Sequence, residues 1–149
     1  MVFRGHSHRN IDAKGRLMLP PEFRETVVQS SAEGCLVLTK SDGAVFGYPM
    51  SEWERIEAKF GQIRNPNRKV RDFMRFFIGG AQEVIIDKQG RILVPPSLRT
   101  YAGLDREVIL VGVGFKFEIW DREQFEGIEA QDFDDVSDDI AATGLEVSF

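Results

Sequence analysis

Apolar and polar positions along this chain change period several times, and the changes come in the same order twice. Arg16-Leu17-Met18-Leu19 and Arg91-Ile92-Leu93-Val94 are apolar runs of strand length, each ended by Pro-Pro. Proline cannot donate to a β-ladder, and its fixed φ suits the first turn of a helix. The pattern predicts strands over Arg16–Leu19 and Arg91–Val94, then short helices over Pro21–Ser30 and Pro96–Ala102, with Gly103 as a C-terminal stop. Two further strands follow each helix. They are Cys35–Thr39 and Ala44–Tyr48 around Asp42-Gly43, then Val108–Val113 and Lys116–Trp120 around Gly114. Ser51-Glu52-Trp53-Glu54 and Asp121-Arg122-Glu123-Gln124 have capping-box spacing and predict a helix start after each pair. In mid-chain, Val70, Phe73, Met74 and Phe77 recur at helical spacing and predict a buried stripe. Asn65-Pro66 reads as the N-cap and first residue of that helix, and Gly79-Gly80 as its end.

The repetition extends to residue identity. Asp12-Ala13-Lys14-Gly15-Arg16 through Pro20-Pro21 to Arg24 aligns with Asp87-Lys88-Gln89-Gly90-Arg91 through Pro95-Pro96 to Arg99 at a constant offset of 75. Asp, Gly, Arg, both prolines and the final Arg are identical, and the apolar positions exchange within kind. In each Asp-x-x-Gly turn, glycine supplies positive φ and the carboxylate accepts from nearby backbone amides. Four short strands and a scrap of helix bury too little to stand alone. Two copies closed into one pseudo-symmetric barrel would share a core and remove the open sheet edges. The expected fold is therefore mainly β with short helices, α+β, built from modules at 3–60 and 80–128. A connecting helix at 61–79 and a tail at 129–149 complete the expected organisation.

Charge changes the picture once its distribution is considered. The net charge is -5, but the segment from Glu129 to Phe149 holds seven acidic residues and no Lys or Arg, which leaves +2 on the rest. Basic residues cluster at Arg4, Arg9, Lys14 and Arg16, and again from Arg64 to Arg75. Local potential governs phosphate binding, so the acidic total does not exclude nucleic acid. The acidic end predicts at most a marginal helix, and its charge suits competition with phosphate for the basic surface. With a single cysteine, Cys35, an intrachain disulfide and a four-cysteine zinc site are both impossible. Cys35 opens an apolar strand and reads as a small buried hydrophobe. No apolar run is long enough to span a bilayer, and the start lacks the apolar stretch of a secretory signal. A cytoplasmic location is expected.

The tandem Asp-x-x-Gly-Arg…Pro-Pro modules, with Phe3-Arg4-Gly5 ahead of them, resemble the MraZ family. Each module is similar to the AbrB-type swapped-hairpin (SpoVT-AbrB) domain, and the resemblance runs from Phe3 to Ile128. It implies a double-ψ/swapped-hairpin β-barrel made of two half-barrels in one chain. It also implies a bacterial transcriptional repressor bound to the nucleoid, assembled as a ring-like homo-oligomer. Its partner would be short direct repeats of double-stranded promoter DNA ahead of the division and cell wall gene cluster, its own promoter included. The family's Asp-x-x-x-Arg motif falls on Asp12 with Arg16 and on Asp87 with Arg91.

The candidate DNA-binding residues are Arg16, Arg91, Lys14, Arg9, Lys88 and Arg4, with Asp12, Gly15, Asp87 and Gly90 shaping the turns. A guanidinium fork matches guanine O6 and N7, or a phosphate. Read from the residues alone, a surface ion pair between each Arg and the Asp four residues earlier is the favoured reading, since such pairs are common. The resemblance favours a division of labour in which Asp orients the turn and Arg contacts DNA. Lys14, Lys88, Arg9 and Arg4 would meet phosphates. His6 and His8 have ligand-like spacing but no third donor, so a surface strand is expected rather than a metal site. No Gly-rich phosphate loop or serine elbow is present, and neither an enzyme, a cofactor nor a small-molecule substrate is expected. The competing class is a protein-interaction scaffold or antitoxin-like module with only non-specific DNA binding.

Overall fold

The computed structural model describes residues 2–149. Its elements are β1 (Phe3–Asn10), β2 (Arg16–Met18), α1 (Pro21–Ser30), β3 (Cys35–Ser41), β4 (Ala44–Pro49), α2 (Met50–Gly61) and α3 (Arg68–Phe77). They continue with β5 (Gln82–Ile85), β6 (Arg91–Leu93), α4 (Pro96–Ala102), β7 (Glu107–Gly114), β8 (Phe117–Asp121), α5 (Arg122–Glu129) and α6 (Val136–Ala141). The mixed α+β composition and the strand–turn–strand–helix–hairpin order of both modules match the sequence reading.

The hairpins form for local reasons. Asp42 and Gly43 both take positive φ, 54° and 81°, which gives the twist that a two-residue connection between β3 and β4 needs. Pro21 and Pro96 sit in the first turns of α1 and α4, and Gly103 ends α4 in the left-handed conformation.

Closure into a barrel is not what these strands do. Six of them form one antiparallel sheet in the order β1-β7-β8-β4-β3-β5, while β2 and β6 pair only with each other. This two-stranded ribbon lies over one face of the sheet, and β1 and β5 remain edges. The reason is visible in the strands. Along β7, Val108 and Leu110 enter one core while Ile109 and Val111 enter a second core on the other face. Along β3, Leu36 and Leu38 alternate with Val37 in the same way. A sheet apolar on both faces needs cover on both. The ribbon, α1 and α4 supply it on one side through Leu17, Ile92, Phe23 and Leu98. On the other, α2, α3 and α5 supply it through Trp53, Phe77 and Phe125.

The pairing registers mark a pseudo-two-fold axis. In the ribbon, Leu17 faces Ile92, its own repeat equivalent. Where the modules meet in the sheet, Phe46 of β4 faces Glu118 of β8, which correspond when the starts of α2 and α5 are matched. The symmetry fails at the edges: β1 makes eight pairs with β7, but β5 makes four with β3.

Several local expectations need correction. Helix α3 starts later than expected, and Asn67 rather than Asn65 caps it by accepting from the Val70 amide at 2.9 Å. Asn65 instead takes positive φ in the connection. The start of α2 has no side-chain cap, whereas Asp121 does cap α5 through the Gln124 amide. Of the apolar stripe on α3, Phe77 is buried but Phe73 is 40% exposed, because only the C-terminal end of the helix reaches the sheet. Phe73 instead stacks on Phe77, at 5.2 Å between centroids, and leans on Phe60. Cys35 is half-buried at the start of β3.

Candidate nucleic-acid interface

Both Asp-x-x-Gly-Arg segments fold into the same turn. Oδ1 of Asp12 accepts from the amides of Lys14 at 3.0 Å and Arg16 at 2.8 Å, and Oδ1 of Asp87 accepts from Gln89 and Arg91, both at 2.9 Å. The glycine amides donate back to the carbonyls of Asp12 and Asp87, each at 2.9 Å. Gly15 and Gly90 take φ of 88° and 84°, where a side chain would be strained. The second carboxylate oxygen holds the arginine: Nε of Arg16 donates to Asp12 at 2.7 Å, and Nε of Arg91 to Asp87 at 3.0 Å. The amide of Arg16 beside Asp12, and that of Arg91 beside Asp87, hold both carboxyls below the usual carboxylate range, with the guanidiniums adding to the effect.

These ion pairs are exposed, so their worth to stability is small. Their geometry matters more. Each aspartate occupies the Nε edge of its guanidinium and makes no hydrogen bond to the terminal nitrogens. Among the described residues those of Arg16 have no hydrogen-bond partner, and those of Arg91 have only a long contact to Gln89. The side chains of Arg16 and Arg91 are 37% and 29% exposed.

The ribbon sets the two turns in relation. Arg16 pairs with Leu93, and Arg91 with Met18, on either side of the buried Leu17–Ile92 pair. Alternation then places Arg16, Met18, Arg91 and Leu93 together on the outer face. Each turn is also tied to the other module: the Leu19 amide donates to Gly90 at 3.0 Å, and the Val94 amide to Gly15 at 2.8 Å.

The remaining candidates separate. Lys14 and Lys88 lie within the turns and are exposed. Arg9 lies on the part of β1 that leads into the first turn, with Nε donating to Ser7 at 2.9 Å. Arg4 sits at the far end of β1, in the opposite alternation register from Arg9 and in register with His6. His6 packs edge-on against Phe125 of α5, 3.5 Å from Glu129, on the helix-covered side of the sheet. The basic helix α3 belongs to that same side. Arg68 and Arg75 share Asp72, and Arg71 donates to the Pro66 carbonyl. Among the described residues, no acidic group from Asp132 onward pairs with a Lys or Arg.

One pair at the site escaped the sequence reading. Arg24 and Arg99 are identical in the repeat, which was the available signal, and each lies against the turn glycine of the opposite module.

A family profile described as "MraZ protein, putative antitoxin-like" matches this chain twice, over residues 2–76 and 77–147. The chain is 54% identical over 149 residues to a protein of Nitratidesulfovibrio vulgaris strain Hildenborough named "Transcriptional regulator MraZ", with both chains covered in full. Proteins of the same name from Maridesulfovibrio salexigens and Acetivibrio thermocellus are 50% and 38% identical, covering 100% and 97% of this chain and 100% of their own lengths. Two tandem matches that together take in both turns, with full-length relatives, settle membership: the chain belongs to the MraZ family.

Proposed function

We propose that this protein is a transcriptional regulator that binds double-stranded promoter DNA through the β2–β6 ribbon, with Arg16 and Arg91 as its reading residues. One observation carries the reading: two aspartate-oriented guanidiniums stand on the outer face of a two-stranded ribbon, related by the pseudo-two-fold axis. The major groove of B-DNA admits such a ribbon, and arginine pairs there with guanine O6 and N7. Lys14, Lys88 and Arg9 surround the turns as phosphate contacts, which fix register without reading sequence. Arg4, at the far end of β1, lines one surface pocket with Arg9 and Pro20 and completes the set of phosphate contacts.

The names of the relatives support regulation of transcription. The family resemblance supports the finer reading: repression from short direct repeats ahead of the division and cell wall genes, by a ring-like homo-oligomer associated with the nucleoid. A subunit offers only two reading arginines, so high affinity requires several subunits on adjacent repeats. The open groove of about 500 Å³ lined by Val84, Ile85, Leu93 and Pro95, with Gln82 and Glu83 at its side, supports self-association.

The test is a gel-shift titration on the region upstream of the gene. Loss of one bidentate arginine–guanine contact costs roughly 1–3 kcal/mol, so Arg16→Ala and Arg91→Ala should each weaken specific binding about 5- to 150-fold. The double variant should retain only salt-sensitive, non-specific binding. Undiminished specific binding by a folded double variant would remove both residues from the reading surface. Retention on random DNA only, by the unaltered protein, would favour the scaffold or antitoxin-like class.

A further inference from the structure

We infer that Arg24 and Arg99 are positioning residues, each holding the recognition turn of the opposite module, so that each reading arginine is set by the other half of the chain. The consequence for DNA rests on the function proposed above; the structural part does not.

Arg24 belongs to α1 of the first module, yet its guanidinium lies against Gly90 of the second. A Cβ added to Gly90 would collide with Nη1 of Arg24 and stand 2.8 Å from its Cζ. Arg99 belongs to α4, and a Cβ on Gly15 would stand 2.7 Å from its Nε. A side chain at either glycine would push its arginine aside, and the positive φ already favours glycine there. A guanidinium is planar and can lie on a peptide, which a lysine ammonium cannot do.

Hydrogen bonds fix the arrangement on the Arg99 side. Nε of Arg99 donates to the Val94 carbonyl at 3.0 Å, and the amide of the same Val94 donates to Gly15 at 2.8 Å. Arg99 therefore clamps its own strand end and the opposite turn together. On the other side, Nε of Arg24 is buried without a hydrogen-bond partner. Neither arginine joins an ion pair among the described residues, so pairing with a carboxylate does not explain them.

The crossing follows from the ribbon. Because β2 pairs with β6, each turn lands over the other module's helix start rather than its own. Displacing one guanidinium loosens the floor of one turn, and with it the Asp–Arg geometry at that turn only.

Amide hydrogen exchange on the free, full-length protein tests the structural part. Arg24→Ala should speed exchange at Gly90 and Arg91 by roughly tenfold while leaving Gly15 and Arg16 unchanged, and Arg99→Ala should do the reverse. Arg24→Gln, which keeps much of the length without the planar charged fork, should act in the same direction and serves if the alanine variant fails to fold. Acceleration at the variant's own turn, or at neither turn, overturns the inference. DNA titrations test the consequence. Arg24→Ala should weaken specific binding roughly five- to tenfold in the Arg16→Ala background and not at all in the Arg91→Ala background. The dependence of log K on log salt should keep its slope. An equal loss in both backgrounds, with the slope reduced by about 1, would make Arg24 a direct phosphate contact and overturn the positioning role. If Arg16→Ala and Arg91→Ala themselves leave binding intact, the DNA reading fails and the exchange measurement still decides the coupling.

Discussion

At the scale of single residues, each turn is a device that spends one carboxylate on three donors. Asp12 and Asp87 satisfy two amides and one guanidinium apiece. Because their carboxyls titrate below the ordinary value of 3.8 when folded, the charged form is the one the fold favours. Their contribution is complete above that ordinary value and disappears as pH falls through the lowered one. A carboxylate titration followed by NMR should place both midpoints below 3.8, and Asp12→Asn with Asp87→Asn should flatten that part of the acid unfolding curve. A midpoint at or above 3.8 would mean that the turn does not hold its arginine in solution. This chemistry was legible in the sequence because every partner lies within four positions. The places of Arg24 and Arg99 were not, since their contacts join residues of different modules.

At the scale of elements, burial decides what pattern alone left open. Phe117 starts β8 fully buried, edge-on to Phe3 at 5.4 Å, beside Phe23, and with its ring over Gly47. Phe117→Ala should cost about 3–5 kcal/mol in denaturant unfolding, as truncation of a core aromatic does. A loss below about 1 kcal/mol would show that the ribbon-side core collapses to fill the space. Helix α3 teaches the opposite lesson. Its periodicity announced a helix correctly, but Phe73 projects beyond the sheet that buries Phe77. Periodicity reports which residues share a face, and only packing says how far along that face the core extends.

At the scale of the whole molecule, pseudo-symmetry and its failures divide the surface. The ribbon side carries the paired arginines, and the α2–α3–α5 side carries the basic helix with its own internal partners. The β5 edge exposes Ile85 where the first module has Asn10 at the equivalent position. If that edge is where subunits meet, Ile85→Asp should reduce the mass in analytical ultracentrifugation without lowering thermal stability by more than a few degrees. Binding to a DNA with several repeats should then fall by about 10²–10⁴, with single-repeat binding unchanged. An unchanged mass would place the subunit contact elsewhere.

The sequence by itself determined the duplication, the two Asp-x-x-Gly-Arg turns, the proline strand stops and the pairing of each turn arginine with the aspartate four residues before it. All of these rest on contacts within a few residues, where local chemistry is decisive. It also pointed to shared burial between the copies. Only the tertiary structure decided that the sharing takes the form of a six-stranded sheet under a two-stranded ribbon rather than a closed barrel. Alternation along β3 and β7 fills two cores, and an element filling two cores must be covered on both faces. The same exchange of strands brings Arg24 to Gly90 and Arg99 to Gly15. Such contacts depend on which strand pairs with which across the pseudo-two-fold axis, and no spacing within one module contains that information.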